Sequence, residues 1–177
     1  YYRASGCPIV MHILDSSDEA QEHPELKQLI SSPNLVYTKY DSDIPPTTKF
    51  YDGMQKVTTS YAVLWADDDL MVPGSFEGGV RFLEEHRDYS IAHGQSGLFQ
   101  AAAVRGEEPV IRVSPYAQSS YADATASQRL ITYLSAYTTT FYSIHRTQNL
   151  RSNLQQCCLY SFGYMWTELA LGCLSII

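Results

Sequence analysis

Apolar and polar positions follow two different periods along the first half of the chain. Short apolar runs rich in β-branched and aromatic residues cover 8–14, 34–40 and 61–65, which is typical of buried strands. Between them, apolar positions three to four residues apart predict helices over 19–30 and 47–56. The order strand, helix, strand, helix, strand favours an α/β fold with a parallel sheet flanked by helices.

The second half of the chain has a less regular pattern. Residues 94–124 are rich in small and turn-forming residues, and we expect loops around one short strand over 110–113. Because surface loops commonly carry binding residues, this segment is a candidate for contact with a substrate. The other elements predicted here are strands over 89–93 and 138–144 and helices over 74–86, 125–137, 147–155 and 162–174.

Two of the predicted strands end in acidic residues. Asp15 and Ser17 follow the first strand, and Asp67, Asp68 and Asp69 follow the third. Adjacent carboxylates repel one another, and a cation would offset that cost. Carboxylate oxygens suit Mn²⁺ or Mg²⁺, and ligands of open α/β sheets bind at the carboxyl ends of strands. A solvated acidic turn before the next helix is the alternative interpretation.

Composition limits the classes of protein to consider. The chain has 177 residues, of which 45% are hydrophobic and 18% charged, as expected for one globular domain. A net charge of −7 and the lack of a basic run argue against a nucleic-acid partner. The four cysteines show no metal-binding spacing and indicate reduced thiols, so we expect a cytoplasmic location. The first residue is not methionine and the apolar stretch 162–177 ends without a cap, so we expect a piece truncated at both ends.

The two acid-ended strands, about fifty residues apart, resemble the nucleotide-sugar-binding half of family 2 type glycosyltransferases of GT-A fold. That family carries Asp-x-Ser after its second strand and an acidic cluster after its fourth, with a proline four residues later, where Pro73 stands here. The resemblance implies a Rossmann-like, mostly parallel sheet in a single domain over 1–177. Residues 1–93 would bind the nucleotide sugar, and residues 94–177 would form the acceptor side. The family's first strand is missing, and Phe50-Tyr51 replace its Arg-Asn.

The resemblance also implies roles for the donor-binding residues. Asp15, in one element with Ser17, would hydrogen-bond the nucleobase, typically uracil. Asp67 would face the ribose or hold the metal-binding loop. Lys49 lies near the family's missing Arg-Asn and could reach a diphosphate, although a solvated helix lysine is the alternative.

The metal site and its chemistry follow in the same way. Asp68 would be the principal ligand of Mn²⁺ or Mg²⁺, with Asp69 supporting it. A divalent cation offsets the charge that builds on the leaving diphosphate when the sugar is transferred.

Glu168 is the candidate for the catalytic base. It is the only charged side chain between Ser152 and Ile177. A lone carboxylate in apolar surroundings is costly unless it has partners, and an inverting transfer needs a group that accepts the acceptor's proton. The family places its base on a helix in this part of the fold. A glutamate on the solvent face of an amphipathic helix explains the sequence equally well.

The sequence therefore predicts a metal-dependent, inverting glycosyltransferase. Its partners would be a nucleotide-diphospho-sugar, typically UDP-linked, and a glycan or lipid-linked acceptor, with peripheral membrane association of the full-length protein as a further expectation. Two alternatives stay open: a non-catalytic module that binds sugar nucleotides or glycans, and a Mg²⁺-dependent phosphotransferase on a Rossmann-like sheet. Against the phosphotransferase, the sequence shows no set of Thr/Ser and Lys residues that would complete a phosphoaspartate site.

Overall fold

The computed structural model describes residues 9–19, 24–102, 110–160 and 163–177, which form a mixed α/β fold. In chain order the elements are β1 (Met11–Asp15), α1 (Pro24–Ile30), β2 (Leu35–Lys39), α2 (Pro46–Gln55), β3 (Tyr61–Ala62), α3 (Pro73–Glu85), β4 (Ile91–Ala92), β5 (Ser96–Ala102), β6 (Val110–Tyr116), α4 (Ala126–Ser135), β7 (Ile144–Arg146), α5 (Thr147–Leu159) and α6 (Tyr164–Ile176).

The described strands form three small sheets. β1 and β2 are parallel and end together, with Asp15 opposite Lys39. β7 lies between β3 and β4 and is antiparallel to both, while β5 and β6 form an antiparallel pair. The α/β class is confirmed, but only one of these four strand pairings is parallel. The alternation of strands and helices in the sequence did not predict the antiparallel pairings. β7 follows an irregular segment and enters its sheet antiparallel to both neighbours.

Four predicted strands differ from the structure, and one of them, expected over 89–93, is confined to Ile91–Ala92. Residues 136–143 form an irregular segment, and the strand in this region is β7, Ile144–Arg146. Threonines favour strands, but Thr138 and Thr139 here direct their hydroxyls to other side chains. The strand expected over 110–113 is part of a longer hairpin with β5, in a region predicted to be loop. The strand expected over 61–65 is confined to Tyr61–Ala62. Of the helix expected over 19–30, positions 20–23 lie outside the described residues.

The largest hydrophobic cluster joins α2, α5 and α6. Leu150 and Leu154 of α5 are fully buried and pack with Met54 of α2 and Leu171 of α6. A second cluster joins α3 to the sheet of β3, β7 and β4 through Leu83, Ala92 and Ile144. Within the described ranges, no helix is both long and apolar enough to cross a membrane.

Three arginines fix the C-terminal ends of helices. The last carbonyl groups of a helix have no partner inside it, and each guanidinium here donates to such carbonyls or to those just beyond. Arg151 donates to the carbonyls of Met54 and Val57 at the end of α2. Arg146 donates to those of Leu83, His86 and Tyr89 at the end of α3. Arg129 donates to those of Ile176 and Ile177 at the end of α6. These contacts hold α2 and α6 in place, and both helices carry candidate site residues.

Candidate functional site

Asp15 is the centre of a polar cluster at the carboxyl end of β1. The Ser17 main-chain N–H donates to Asp15 Oδ1 at 2.8 Å, and the Ser17 hydroxyl donates to the same atom at 2.6 Å. The Tyr37 hydroxyl donates to Asp15 Oδ2, so both carboxylate oxygens have partners. Lys39, opposite Asp15 in the parallel register, lies with its Nζ 3.6 Å from Oδ1 and also donates to the Ser17 carbonyl.

These hydrogen bonds keep Asp15 ionised. The bonds from the Ser17 and Tyr37 hydroxyls hold the pKa of the Asp15 carboxyl well below its usual range, and the Lys39 charge acts in the same direction. The cluster therefore presents one fixed negative charge next to one ammonium group. Such an arrangement can orient a ligand that offers N–H donors and carries negative charge.

The first turn of α2 connects this cluster to α6. Lys49 donates from Nζ to the Ser16 hydroxyl at 2.7 Å, so its ammonium group lies beside the turn that follows Asp15. Two positions earlier, the Thr47 hydroxyl is hydrogen-bonded at 3.4 Å to the hydroxyl of Thr167, the neighbour of Glu168. The predicted donor-binding residues and the predicted base thus lie at two sides of one helical turn.

The acidic residues after β3 lie in an exposed turn. Asp67, Asp68 and Asp69 are all exposed, and Leu64 just before them is buried and anchors the segment. The Trp65 indole N–H donates to the Asp69 carbonyl at 2.9 Å, which closes the turn. Exposure reduces the repulsion among the three carboxylates, because water screens them.

Glu168 on α6 is partly buried and firmly held. Its Oε1 accepts a hydrogen bond of 2.6 Å from the Tyr137 hydroxyl and another of 2.6 Å from the Thr139 hydroxyl. These partners belong to the irregular segment 136–143, which the sequence predicted to be mostly strand. The contacts argue against a merely solvated glutamate on an outer helix face.

Tyr142 packs next to the acidic turn. Its ring lies edge to face on Trp65, with centroids 6.4 Å apart, and on Phe141 at 5.2 Å. The acidic residues that act on its phenol are Asp69, Asp68 and Glu168. Burial raises the pKa of the Tyr142 phenol, and these acidic neighbours raise it further, so the hydroxyl stays protonated and available as a donor.

The structure brings three of the predicted residues together: Asp15, Ser17 and Lys49 lie around one turn. The three aspartates 67–69 share the exposed turn next to which Tyr142 packs. Glu168 is held separately by Tyr137 and Thr139. Over the part of the chain that the structure describes, no group of three or more His, Cys, Asp or Glu side chains converges into a metal site. The acidic turn can offer one or two carboxylates to a cation, which is the number that Mg²⁺ commonly takes from a protein alongside substrate phosphates.

Sequence reasoning missed Tyr37, Lys39 and Tyr142. Lys39 could have been found from the pattern, since two parallel strands that end together place their last residues side by side. Tyr142 gave no such signal, because it lies in an irregular segment more than seventy residues from the acids it contacts. Searches against protein-family models, curated proteins and solved structures found no match to this chain.

Proposed function

We propose that this chain is the GT-A type domain of a metal-dependent glycosyltransferase. The observation that carries the proposal is the first turn of α2, which contacts the Asp15 cluster through Lys49 and contacts Thr167, the neighbour of Glu168, through Thr47. Transfer from a nucleotide-diphospho-sugar needs a site for the diphosphate and a base for the acceptor, close to one another. A donor-binding cluster and a held carboxylate joined by one helical turn fit that need.

The donor's nucleoside would bind at the Asp15 cluster. A fixed carboxylate accepts the N–H of a uracil ring, and Ser17 keeps that carboxylate oriented. The ammonium groups of Lys39 and Lys49 flank the same turn and supply positive charge for a diphosphate. Asp67 would contact the ribose or hold the turn that follows. The free thiols of Cys157, Cys158 and Cys173 agree with a reducing compartment such as the cytoplasm.

The acidic turn fits a divalent cation that arrives with its substrate. Asp68 and Asp69 would hold Mn²⁺ or Mg²⁺, and the ion would offset the charge on the leaving diphosphate. Trp65 would keep the turn in place through its hydrogen bond to the Asp69 carbonyl, and Tyr142 packs against Trp65. A site that relies on the substrate for its other ligands does not need three convergent protein carboxylates.

Glu168 would take the proton in the transfer step. The acceptor hydroxyl oxygen forms a bond to the anomeric carbon, the bond from that carbon to the diphosphate oxygen breaks, and the hydroxyl proton passes to Glu168. Its Oε1 is held by Tyr137 and Thr139, which fixes the orientation of the whole carboxylate. Attack from the face opposite the leaving group inverts the configuration at the anomeric carbon.

A nucleotide titration tests the proposal. The melting temperature of the protein is measured with UDP, ADP and GDP, each with and without Mn²⁺, followed by assays for release of UDP from UDP-sugars. We expect UDP with Mn²⁺ to raise the melting temperature most, because a ligand that binds the native state stabilises it by mass action. Binding without any turnover in the presence of acceptors would favour the non-catalytic binding module. No stabilisation by any nucleotide would refute the proposal.

A further inference from the structure

A polar cleft lies at the base of the β5–β6 hairpin, outside the clusters described above. It has a volume of about 450 Å³, within the usual range for small-ligand sites. One wall is the segment 93–96 between β4 and β5, and the other is the segment 115–120 after β6.

The lining of the cleft selects for a neutral, hydroxyl-rich ligand. Its side chains include serine, glutamine and tyrosine, and among the described residues no carboxylate, lysine or arginine lines it. These groups both donate and accept hydrogen bonds, as sugar hydroxyls require. A diphosphate would find no lysine or arginine among these lining residues. The polar side chains are those of His93, Gln95, Ser96, Tyr116, Gln118, Ser119 and Ser120.

The cleft is preformed by contacts between its two walls. The His93 ring bridges main-chain oxygens, with Nε2 3.1 Å from the Ser119 carbonyl and Nδ1 3.3 Å from that of Gly94. Gln118 donates from Nε2 to the Ser96 hydroxyl at 3.1 Å, and its buried Oε1 accepts no hydrogen bond from the described residues. Gln118 therefore joins the wall at 115–120 to the wall at 93–96.

Each wall continues into one half of the candidate site. A Cβ on Gly94 would lie 4.0 Å from the Ser75 hydroxyl, in the first turn of the helix that follows the acidic turn. After the other wall, the Tyr121 hydroxyl lies 2.6 Å from the Thr138 hydroxyl, between the two residues that hold Glu168. One wall of the cleft thus lies next to the helix that follows the acidic turn, and the residue after the other wall contacts the segment that holds Glu168.

We propose that this cleft binds a sugar ring of a neutral glycan acceptor. The inference rests on the proposed glycosyltransferase function and adds the place and chemical class of its acceptor. The hydrogen bonds between the walls hold the cleft open without the ligand, and the hydroxyl and amide groups that line it offer the glycan donors and acceptors.

Saturation-transfer NMR tests the inference with neutral disaccharides as probes, namely maltose, lactose, cellobiose and chitobiose. We expect at least one to bind the wild-type chain, and Ala117→Trp, which fills the cleft, to weaken that binding at least about tenfold. Gln118→Ala is expected to weaken it several-fold without filling the cleft. The matched control is Ala126→Trp, because Ala126 is exposed on α4 and does not line the cleft.

The outcomes separate this inference from the proposed function. UDP and Mn²⁺ are titrated into the same proteins, and we expect Ala117→Trp to bind them as the wild type does. Disaccharide binding that Ala117→Trp leaves unchanged, or no binding of any probe to wild type, would overturn the inference while nucleotide binding remains. Disaccharide binding in a chain that ignores all nucleotides would refute the glycosyltransferase, and with it the role of the cleft as an acceptor site.

Discussion

The Tyr137 hydroxyl donates a 2.6 Å hydrogen bond to Glu168, thirty-one residues further along the chain. Thr139 donates to the same oxygen, so the irregular segment before β7 supports the carboxylate of α6. Hydrogen bonds to a charged acceptor are stronger than those between neutral groups. This pair of contacts converts an isolated acidic residue in an apolar helix into an oriented one.

Glu168→Gln tests the role of that carboxylate. The variant keeps the shape of the side chain but cannot accept a proton, so we expect sugar transfer to fall by roughly 10²–10⁴-fold. Affinity for UDP with Mn²⁺ should stay unchanged, because Glu168 contacts neither in the proposed arrangement. The measurements are the transfer rate at saturating donor and the dissociation constant of UDP. Transfer close to the wild-type rate would remove Glu168 from the mechanism.

Asp68→Ala and Asp15→Ala should weaken nucleotide binding in different ways. Asp68 is exposed and would bind the cation, so its loss should abolish the extra stabilisation that Mn²⁺ gives to the UDP complex. Asp15 would hydrogen-bond the nucleobase, so its loss should weaken UDP binding equally with and without Mn²⁺. Calorimetric titrations with UDP in both conditions distinguish the two effects. If both variants respond identically to Mn²⁺, the assignment of separate base and metal positions is wrong.

Tyr142→Phe removes the phenol hydroxyl next to the acidic turn and keeps the aromatic contact with Trp65. We expect Mn²⁺-dependent UDP affinity to fall about three- to tenfold, the effect of losing one typical hydrogen bond, because the phenol can no longer donate to the turn. Binding of UDP without metal should not change. Tyr51→Phe is the control, because Tyr51 is a partly buried tyrosine that packs against the main core. Equal responses of the two variants would show that Tyr142 has only a packing role.

The sequence predicted local elements better than their assembly. β1, β2, α2 and α3 lie within two residues of their predicted bounds at most ends, because strong apolar periods define them. The predicted strand over 138–144 was wrong for its threonines. The hydroxyls of Thr138 and Thr139 are hydrogen-bonded to Tyr121 and Glu168, from other parts of the chain. The hairpin was missed because β5 contains small and polar residues that resemble a loop.

The candidate site shows the same division. Asp15 and the acidic turn were visible because apolar runs end at them. The side chains that hold these residues could not be predicted. Tyr37 contacts Asp15 from the neighbouring strand, and Tyr142 packs next to the acidic turn from the segment before β7. Local spacing carries no information on such long-range pairs until the strand order is known.

Because the imidazole of His145 is buried, we predict that the folded protein loses stability at mildly acidic pH. It lies on the central strand of its sheet with 1% of its surface exposed, and burial lowers its pKa from 6.5 to about 4. Below pH 6.5 the unfolded chain binds a proton there that the folded chain does not, so stability falls as the pH drops toward 4. The loss from this residue is roughly 3 kcal/mol. His12, whose pKa is lowered by burial and by Lys56, acts in the same direction.

Urea denaturation between pH 7 and pH 4 measures the effect. The stability of His145→Leu should decline less steeply with falling pH than that of wild type, because the variant has no buried imidazole to protonate. His86→Gln, at an exposed position, should keep the wild-type slope. Parallel curves for wild type and His145→Leu would contradict the prediction.

Gly172 is required by the packing between α6 and α4. A Cβ at this position would overlap the Tyr133 hydroxyl and lie 2.7 Å from Tyr133 Cζ and 3.0 Å from Thr140 Oγ1. Tyr133 is fully buried and cannot swing out of the way. We therefore expect Gly172→Ala to reduce the free energy of unfolding by about 1–3 kcal/mol, the usual cost of overpacking a core.

Three further variants show whether the overlap with Tyr133 is the cause: Gly78→Ala, Tyr133→Phe, and Tyr133→Phe combined with Gly172→Ala. Gly78→Ala on α3 is the matched control, since a Cβ there meets no atom within 4 Å. Alanine is the better helix former, so this variant should gain about 0.5–1 kcal/mol. Adding Tyr133→Phe to Gly172→Ala removes the overlapping hydroxyl and should cost less than the sum of the two single substitutions, because residues in contact are energetically coupled. Chemical denaturation of wild type, Gly172→Ala, Tyr133→Phe and the double variant measures that coupling. A stable Gly172→Ala variant, or strictly additive effects, would mean that α6 can shift away from α4. The hydrogen bonds from Tyr137 and Thr139 would then be what holds Glu168 in place.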